Sequence, residues 1–215
     1  MIARTAMEEQ TICVQPATSQ SFPRMAQLVV EAFPIKFGAL FGHRSDLACA
    51  IMEEVLRIEH PKGRGAFVAQ DHSGVIGTLL LEYAAQPKIT RDWRAVLRVV
   101  RTHIRPRHLP RLLLGIALLT HNVHPDEAYV ESVAVTASAR GRGAGTLLLQ
   151  RAEAWARANS KGYLGLHVSS KNPRARALYA RQGFSERRVE KSLLAAIIMG
   201  QPAFAYMTKG LGSSS

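Results

Sequence analysis

The stretch that decides the fold reads Tyr129-Val-Glu-Ser-Val-Ala-Val135-Thr-Ala-Ser-Ala-Arg140-Gly-Arg-Gly-Ala-Gly-Thr146. An apolar run up to Val135 predicts a strand, and a second apolar pattern after Thr146 predicts a helix. Three glycines lie between them, which predicts a tight loop that leads directly into the helix. Such a loop directs backbone N–H groups and the positive end of the helix dipole at one point. The arrangement is typical of an anion site, most often one for phosphate.

Two well-known phosphate loops do not fit this segment. A Walker loop requires Gly-Lys-Ser/Thr at its end, whereas Gly145 is followed directly by Thr146. A dinucleotide fingerprint requires the spacing G-x-G-x-x-G with an acidic residue about twenty positions on. The glycines here alternate instead, and no acidic residue follows at that distance.

A third family of anion loops does fit. The pattern Arg140-x-x-Gly143-x-Gly145 resembles the acetyl-CoA pyrophosphate loop of the GCN5-related N-acetyltransferases, the GNAT family. The residues around this pattern, 128–184, carry the resemblance specifically, and residues 11–210 carry it more loosely.

A second motif follows at the separation that this family requires. Asn172-x-x-Ala175-x-x-x-Tyr179-x-x-x-Gly183-Phe184 is similar to the family pattern N-x-x-A-x-x-x-Y-x-x-x-G-F. Asn172 and Ala175 share one face of a predicted helix, and Tyr179 follows one turn later. Gly183 lies where this helix is expected to end.

The resemblance implies an α/β (α+β) fold of the acyl-CoA N-acyltransferase type, with a mixed central sheet flanked by helices. Residues 11–210 are expected to form a single domain, preceded by a flexible segment at 1–10 and followed by a tail at 211–215. Hydrophobic periodicity predicts strands at 11–16, 65–70, 75–81, 129–136 and 163–169, then C-terminal strands, with helices from Ser19 or Ser21 to Phe33 and at 46–58, 144–158 and 173–182.

Residues 90–124 do not fit the minimal fold, and we expect a basic helical insertion before the fourth strand. Five arginines fall on one helical face and an apolar row falls on the other. The insertion could pack on the domain, cover the substrate or lie on a membrane surface through residues 91–119. Its apolar run is far shorter than the roughly 20 residues that a membrane-spanning helix needs.

The formal net charge of +12 is unevenly distributed. Residues 140–188 hold eleven Lys and Arg against two acidic residues, and they surround the predicted anion loop. Coenzyme A, which carries several phosphate charges, accounts for this cluster, so we expect no nucleic-acid partner. Cys13 and Cys49 have no metal-ligand spacing, and the first ten residues lack the apolar run of a secretory signal. A cytoplasmic protein without a metal is therefore expected.

The resemblance implies that acetyl-CoA is the co-substrate and that its pyrophosphate is held by backbone N–H groups of the glycine loop. It also implies that main-chain groups of the preceding strand hold the thioester and pantetheine. The cofactor-binding residues expected on this basis are Val133, Ala134, Val135, Arg140, Gly141, Arg142, Gly143, Ala144, Gly145, Thr146, Asn172, Ala175 and Tyr179.

Two residues are candidates for catalysis. The resemblance places Tyr179 near the sulfur of coenzyme A, where it would act as a general acid. Glu131 is the candidate general base, because it is the only acidic residue in its predicted strand and alternates there with Val133 and Val135 on one face. Glu82 and His121 are held in reserve for this role.

The expected function is transfer of an acetyl group from acetyl-CoA to a primary amine of a small molecule or protein. The acceptor cannot be read from a fold that serves many substrates. The alternatives are an inactive acyl-CoA-binding regulatory module and a basic protein that binds membrane surfaces or nucleic acid. A homodimer is left open.

Overall fold

The computed structural model describes residues 11–88, 121–191 and 203–212, together with Arg94 and Thr102. Almost all of the predicted basic insertion, the first ten residues and residues 213–215 lie outside the described residues. The helices are α1 (Phe22–Ala32), α2 (Pro34–Phe41), α3 (Ser45–Glu59), α4 (Ala144–Ala158) and α5 (Pro173–Arg181). The strands are β1 (Cys13–Pro16), β2 (Ala66–Asp71), β3 (Gly74–Tyr83), β4 (Glu127–Val135), β5 (Tyr163–Ser169), β6 (Ser185–Lys191) and β7 (Ala203–Gly210).

The seven strands form one sheet in the order β1-β2-β3-β4-β5-β7-β6. The β4–β5 pair is parallel, and the other neighbouring strands run antiparallel. Helix α4 provides the crossover that a parallel pair requires. The sheet is therefore mixed and flanked by helices, which confirms the predicted fold class.

Two hydrophobic cores cover the two faces of the sheet. On one face, α4 packs its apolar stripe, including Leu148 and Ala152, against alternate residues of the strands such as Leu79 and Leu164. On the other face, α1 and α3 pack Met25 and Leu56 against residues such as Leu80. Since successive residues of a strand point to opposite faces, β2 and β3 contribute to both cores, whereas β4 and β5 contribute only to the core beneath α4.

Most predicted elements are present, and their differences from the predictions have local causes. Helix α4 begins and ends where the periodicity predicts. Helix α2 was not predicted, because its eight residues begin with a proline and are too few to show a helical period. Ser21 precedes α1, but its hydroxyl donates to the Thr18 carbonyl at 2.7 Å and makes no cap bond to the helix.

The ordered domain extends into the predicted tail. Leu211 is 3% exposed and belongs to the core beneath α4. Its N–H donates to the Gly162 carbonyl at 2.9 Å, and its own carbonyl accepts from Arg157. Cys13 is exposed, Cys49 is partly buried, and both thiols are free. No helix among the described residues is long and apolar enough to cross a membrane.

Candidate active site

Strand β4 parts from β5 halfway along its length, and this opening organises the candidate site. The parallel pairing runs only from Glu127↔Tyr163 to Val130↔Leu166. Beyond that point β4 continues to Val135 and β5 to Ser169. The edge of β4 from Glu131 onward therefore faces an opening instead of a paired strand. An extended ligand can bind such an edge through main-chain hydrogen bonds.

A β-bulge lies where the strands part. Leu80 of β3 pairs with Ser132 and Leu81 pairs with Val130, so Glu131 is the extra residue of β4. A bulge adds a residue on one strand only, which bends the strand and increases its twist. The bend at Glu131 turns the remainder of β4 away from β5.

The bulge also corrects the predicted position of the Glu131 side chain. Val133 and Val135 pack against the core beneath α4. The Glu131 carboxylate instead interacts with Glu82 and Lys88 on the other face. The prediction that Glu131 shares a face with the two valines was wrong, because the extra residue interrupts the alternation. Glu131 is also not the only acidic residue of the strand, since β4 begins at Glu127.

The glycine loop has the backbone geometry of an anion site. Gly141 and Gly143 have φ values of 83° and 88°, a region that glycine enters without a Cβ penalty. A Cβ built on either glycine has no atom within 4 Å, so both border open space. Gly143 is the N-cap of α4 and has no side chain to cap it. The N–H groups of Ala144, Gly145 and Thr146 lie in the first turn of α4, where helical N–H groups have no intrahelical acceptor.

Gly145 has a packing role that the sequence pattern did not reveal. A Cβ at this position would lie 3.3 Å from Cδ2 of Leu178 in α5. The glycine therefore allows α5 to pack closely on the first turn of α4. This contact brings the Asn172–Tyr179 segment next to the loop.

The two arginines of the loop differ in their surroundings. Arg142 lies between the two glycines of positive φ, and its Nη2 is 2.8 Å from Oδ2 of Asp71 at the β2–β3 turn. Arg140 is exposed at the surface of the loop. Sequence reasoning treated both arginines alike and missed Asp71, which lies about 70 residues earlier in the chain.

Asn172 and Ala175 are connected by a helix cap. Oδ1 of Asn172 accepts a hydrogen bond from the Ala175 N–H at 3.0 Å and so begins α5. Gly183 ends the same helix at φ 87°, and the Phe184 N–H donates to the Tyr179 carbonyl at 3.0 Å. The prediction that α5 stops at Gly183 is confirmed. The residues that flank Tyr179 therefore fix both ends of its helix.

Tyr179 lies on the α4 side of the sheet. Its ring packs against that core and lies 5.9 Å from the ring of Phe184. Burial raises the pKa of the Tyr179 phenol to about 12. The hydroxyl is therefore protonated at neutral pH.

The face of the sheet opposite α4 carries a group of acidic residues near the bulge. Lys88 Nζ lies 2.5 Å from Oε1 of Glu82 and 3.5 Å from Oε2 of Glu59. Burial and the Glu131 carboxylate raise the pKa of Glu82, against the opposing effect of Lys88. Burial alone would lower the pKa of the Lys88 ammonium. The carboxylates of Glu59 and Glu82 raise this pKa by more than burial lowers it, so Lys88 stays charged.

Glu127, at the start of β4, is a buried acidic residue that sequence reasoning missed. It is 1% exposed. The Tyr206 hydroxyl donates to Oε1 at 2.8 Å, the His124 N–H donates to Oε2 at 3.2 Å, and His121 Nε2 lies 3.2 Å from Oε2. Burial raises the pKa of Glu127, but the hydrogen bonds from His121, Tyr206 and His124 outweigh it and lower the pKa overall.

Four rings form a cluster beside Glu127. His121 stacks on Tyr129 with centroids 4.3 Å apart, and His167 lies 4.9 Å from Tyr206. The Tyr129 hydroxyl is 3.0 Å from Nδ1 of His167. The signal for this cluster was present in the sequence, because His167 and Tyr206 alternate with apolar residues that face α4. Only the pairing of β5 with β7 reveals that they are neighbours.

Among the described residues, no group of three or more histidine, cysteine, aspartate or glutamate side chains has a metal-binding arrangement. The glycine loop lies at the start of α4, on one side of the sheet. The carboxylates near the bulge lie on the other. The opening lies within the sheet between β4 and β5, so it borders both sides.

Known proteins share this fold. The sequence profile of the Acetyltransferase (GNAT) family matches residues 27–184, which include the bulge, the glycine loop and α5. The histone acetyltransferase HPA2 and related acetyltransferase structure from Corynebacterium glutamicum is 25% identical, with 95% of this chain and 99% of that chain covered and a TM-score of 0.62. An N-acetyltransferase from Staphylococcus aureus Mu50 is 16% identical, with 91% and 99% covered and a TM-score of 0.67. No curated protein sequence matches the chain.

The lowered pKa of Glu127 predicts a pH-dependent contribution to stability. A carboxyl whose pKa is lowered by folding stabilises the protein above its unfolded pKa and loses that effect as the pH falls. At pH 7 we expect Glu127→Gln to lower the free energy of unfolding by about 2 kcal/mol. The difference from wild type should shrink below about pH 4.3, the ordinary glutamate value. Urea unfolding from pH 7 to pH 3 measures this difference.

Glu186→Gln is the matched control, since Glu186 pairs with Arg176 at 2.6 Å on the surface. Exposed pairs contribute about 0–1 kcal/mol, so this variant should resemble wild type throughout the pH range. If the free energy of unfolding of Glu127→Gln stayed below that of wild type by the same amount at every pH, this would contradict an ionised Glu127 held by hydrogen bonds.

Proposed function

Since the chain belongs to the acetyltransferase (GNAT) family, we propose that it transfers the acetyl group of acetyl-CoA to a primary amine. The family uses acetyl-CoA as its co-substrate. The observation that carries the proposal is the opening between β4 and β5, with an anion loop on one side and carboxylates on the other. Acetyl transfer requires both, because the acyl donor is a large anion and the acceptor must lose a proton.

The residues of the α4 side fit acetyl-CoA. The pyrophosphate would bind the N–H groups of Gly141 through Thr146, where open space borders the two glycines of positive φ. Main-chain groups of Val133, Ala134 and Val135 lie on the part of β4 that has no pairing with β5. They would hold the pantetheine and thioester, which supply the activated acetyl group. Asn172 and Ala175 support this site through the cap of α5.

Two side chains would move protons on the two sides of the opening. Glu131 would accept a proton from the acceptor ammonium, which leaves a neutral amine whose nitrogen forms the new bond to the carbonyl carbon. When the carbon–sulfur bond breaks, Tyr179 would give its proton to the thiolate, and the second proton that the nitrogen loses as the amide forms would restore the Tyr179 phenol. Glu131 is favoured over Glu82 because Glu131 lies in the bulge at the opening, whereas Glu82 is paired with Lys88 at 2.5 Å.

The charges near the bulge bear on the class of acceptor. The total charge of +12 argues against strongly cationic acceptors. Glu59, Glu82 and Glu131, however, lie around Lys88 on this side. Carboxylates favour the approach of an ammonium group. A protonated primary amine is therefore a better electrostatic match to this side than the total charge suggests.

A direct test is release of free thiol from acetyl-CoA in the presence of a panel of primary amines. We expect release to depend on the amine, to yield the acetylated amine in equal amount and to stay unchanged with a chelator. A protein that binds acetyl-CoA but releases no thiol with any amine would be a binding module without turnover, which would contradict the proposal.

Tyr179→Phe tests the proton donor. We expect cofactor affinity to be unchanged, because the ring and its packing remain, and the rate of thiol release to fall about 100-fold. Single-turnover measurements keep product release out of the rate. Tyr163→Phe is the control, since it removes a phenol from β5 outside the proposed machinery. An unchanged rate in Tyr179→Phe would leave Tyr179 with a packing role only.

Glu131→Gln and Glu82→Gln form a matched pair that identifies the base. Each variant removes one carboxylate from the same face of the sheet. We expect Glu131→Gln to lower kcat/KM by about 100-fold or more and to lose the carboxylate limb of its pH profile. Glu82→Gln should retain both the wild-type kcat/KM and the carboxylate limb of the pH profile. The opposite result, with Glu82→Gln inactive and Glu131→Gln active, would assign the role to Glu82.

A further inference from the structure

The β2–β3 turn contacts the glycine loop through one ion pair. Asp71 is the last residue of β2, and Arg142 lies between Gly141 and Gly143 in the loop. Arg142 Nη2 is 2.8 Å from Oδ2 of Asp71, and that oxygen is buried from solvent and accepts no hydrogen bond from the described residues, so the contact is an ion pair. A turn that is remote in sequence therefore contacts the centre of the loop that carries the anion site.

Asp71 is itself held firmly in place. Its other oxygen, Oδ1, accepts from the Ser73 N–H at 2.9 Å and from the Ser73 hydroxyl at 2.6 Å. These hydrogen bonds, together with Arg142, lower the pKa of Asp71 to about 2. The carboxylate is thus ionised at neutral pH, with one oxygen directed to the turn and the other to the loop.

The loop needs such an anchor, because glycines on both sides of Arg142 leave its backbone with few steric limits. Glycine loses more conformational freedom on ordering than any other residue. The Arg142 N–H donates to the Ala139 carbonyl at 3.3 Å, which is a long hydrogen bond. The ion pair with Asp71 adds a side-chain restraint at the centre of the loop.

We propose that Asp71 is a positioning residue for acetyl-CoA: it holds Arg142, and through it the glycine loop, in the conformation that presents the backbone N–H groups to the pyrophosphate. This inference rests on the proposed function, since it assumes that the loop binds the cofactor. Asp71 does not touch the ligand in this account and acts only through Arg142.

Simple electrostatics predicts that loss of the Asp71 charge strengthens cofactor binding, whereas the positioning role predicts that it weakens binding. A carboxylate close to an anion site repels the anion, so its neutralisation should tighten binding. Loss of a positioning contact should weaken binding instead, because the loop must then be ordered when the ligand binds. The sign of the change in affinity therefore separates the two effects.

The experiment measures the dissociation constant of coenzyme A for the full chain by calorimetry. We expect Asp71→Asn to raise it about tenfold, the size of one charge-assisted contact. The KM for acetyl-CoA should rise in parallel, while kcat at saturating acetyl-CoA stays within about twofold. Asp46→Asn is the control, since it removes an equal charge from the first turn of α3 on the opposite side of the sheet.

Two further variants make the test independent of charge and of folding. Ser73→Ala removes a donor to Asp71 without changing any charge, and we expect it to weaken binding in the same direction by a smaller factor. Asp71→Asn combined with Arg142→Gln should bind no more weakly than Arg142→Gln alone, because Asp71 acts through Arg142. Thermal melting of each variant checks that it is folded.

The outcomes distinguish the two proposals. Unchanged or tighter binding by Asp71→Asn, or losses that simply add in the double variant, would overturn the role of Asp71 and leave the proposed function intact. Absence of coenzyme A binding by the wild-type chain would overturn the cofactor site itself, and the positioning role with it.

Discussion

At Glu131, β4 contains one residue more than the stretch of β3 with which it pairs, and much of the site depends on this mismatch. The pairing of β4 with β5 ends at Val130, immediately before the bulge. Because a bulge bends the strand and increases its twist, β4 can keep its bonds to β3 while it leaves β5. The side chain of this extra residue, Glu131, lies on the face of the sheet that carries the acidic residues. One local irregularity thus provides both an opening and a carboxylate beside it.

The sheet separates two electrostatic environments. The α4 side presents backbone N–H groups at the start of a helix, with basic residues nearby, and suits a polyanion. The opposite side carries Glu59, Glu82 and Glu131 around Lys88, and suits a cation. A cofactor and an acceptor of opposite charge would therefore approach the opening from different sides. This separation explains how a strongly basic chain can offer an acidic environment to a cationic ligand.

Buried polar groups hold the paired end of the opening. Glu127 receives the Tyr206 hydroxyl across the sheet, and a Cβ on Gly165 would lie only 2.0 Å from the Glu127 Oε1. Glycine at position 165 therefore leaves the space that the carboxylate occupies. A buried carboxylate is costly unless its oxygens are hydrogen-bonded, and here both oxygens have partners. These bonds favour one register for β4, β5 and β7 on the paired side of the opening.

Local patterns in the sequence were sufficient for the elements whose signals are local. The periodicity of residues 144–158 predicted α4, the alternating glycines predicted an anion loop, and Gly183 predicted the end of α5. Each of these features depends on contacts within a few residues. Alternation along β4 was not sufficient, because the bulge at Glu131 arises from its pairing with β3. Helix α2 was not predicted, because its eight residues are too few to show a helical period.

By itself, then, the sequence determined the glycine loop, since backbone geometry and helix dipoles act within a few residues of the chain, and its resemblance to the GNAT family implied the fold class. The tertiary structure alone decided which face Glu131 takes, that Arg142 meets Asp71, and that Tyr206 meets Glu127 at a separation of 79 residues. The physical reason is that register and side-chain partners across a sheet depend on which strands become neighbours. No local pattern encodes that choice, because it is made by the packing of the whole domain.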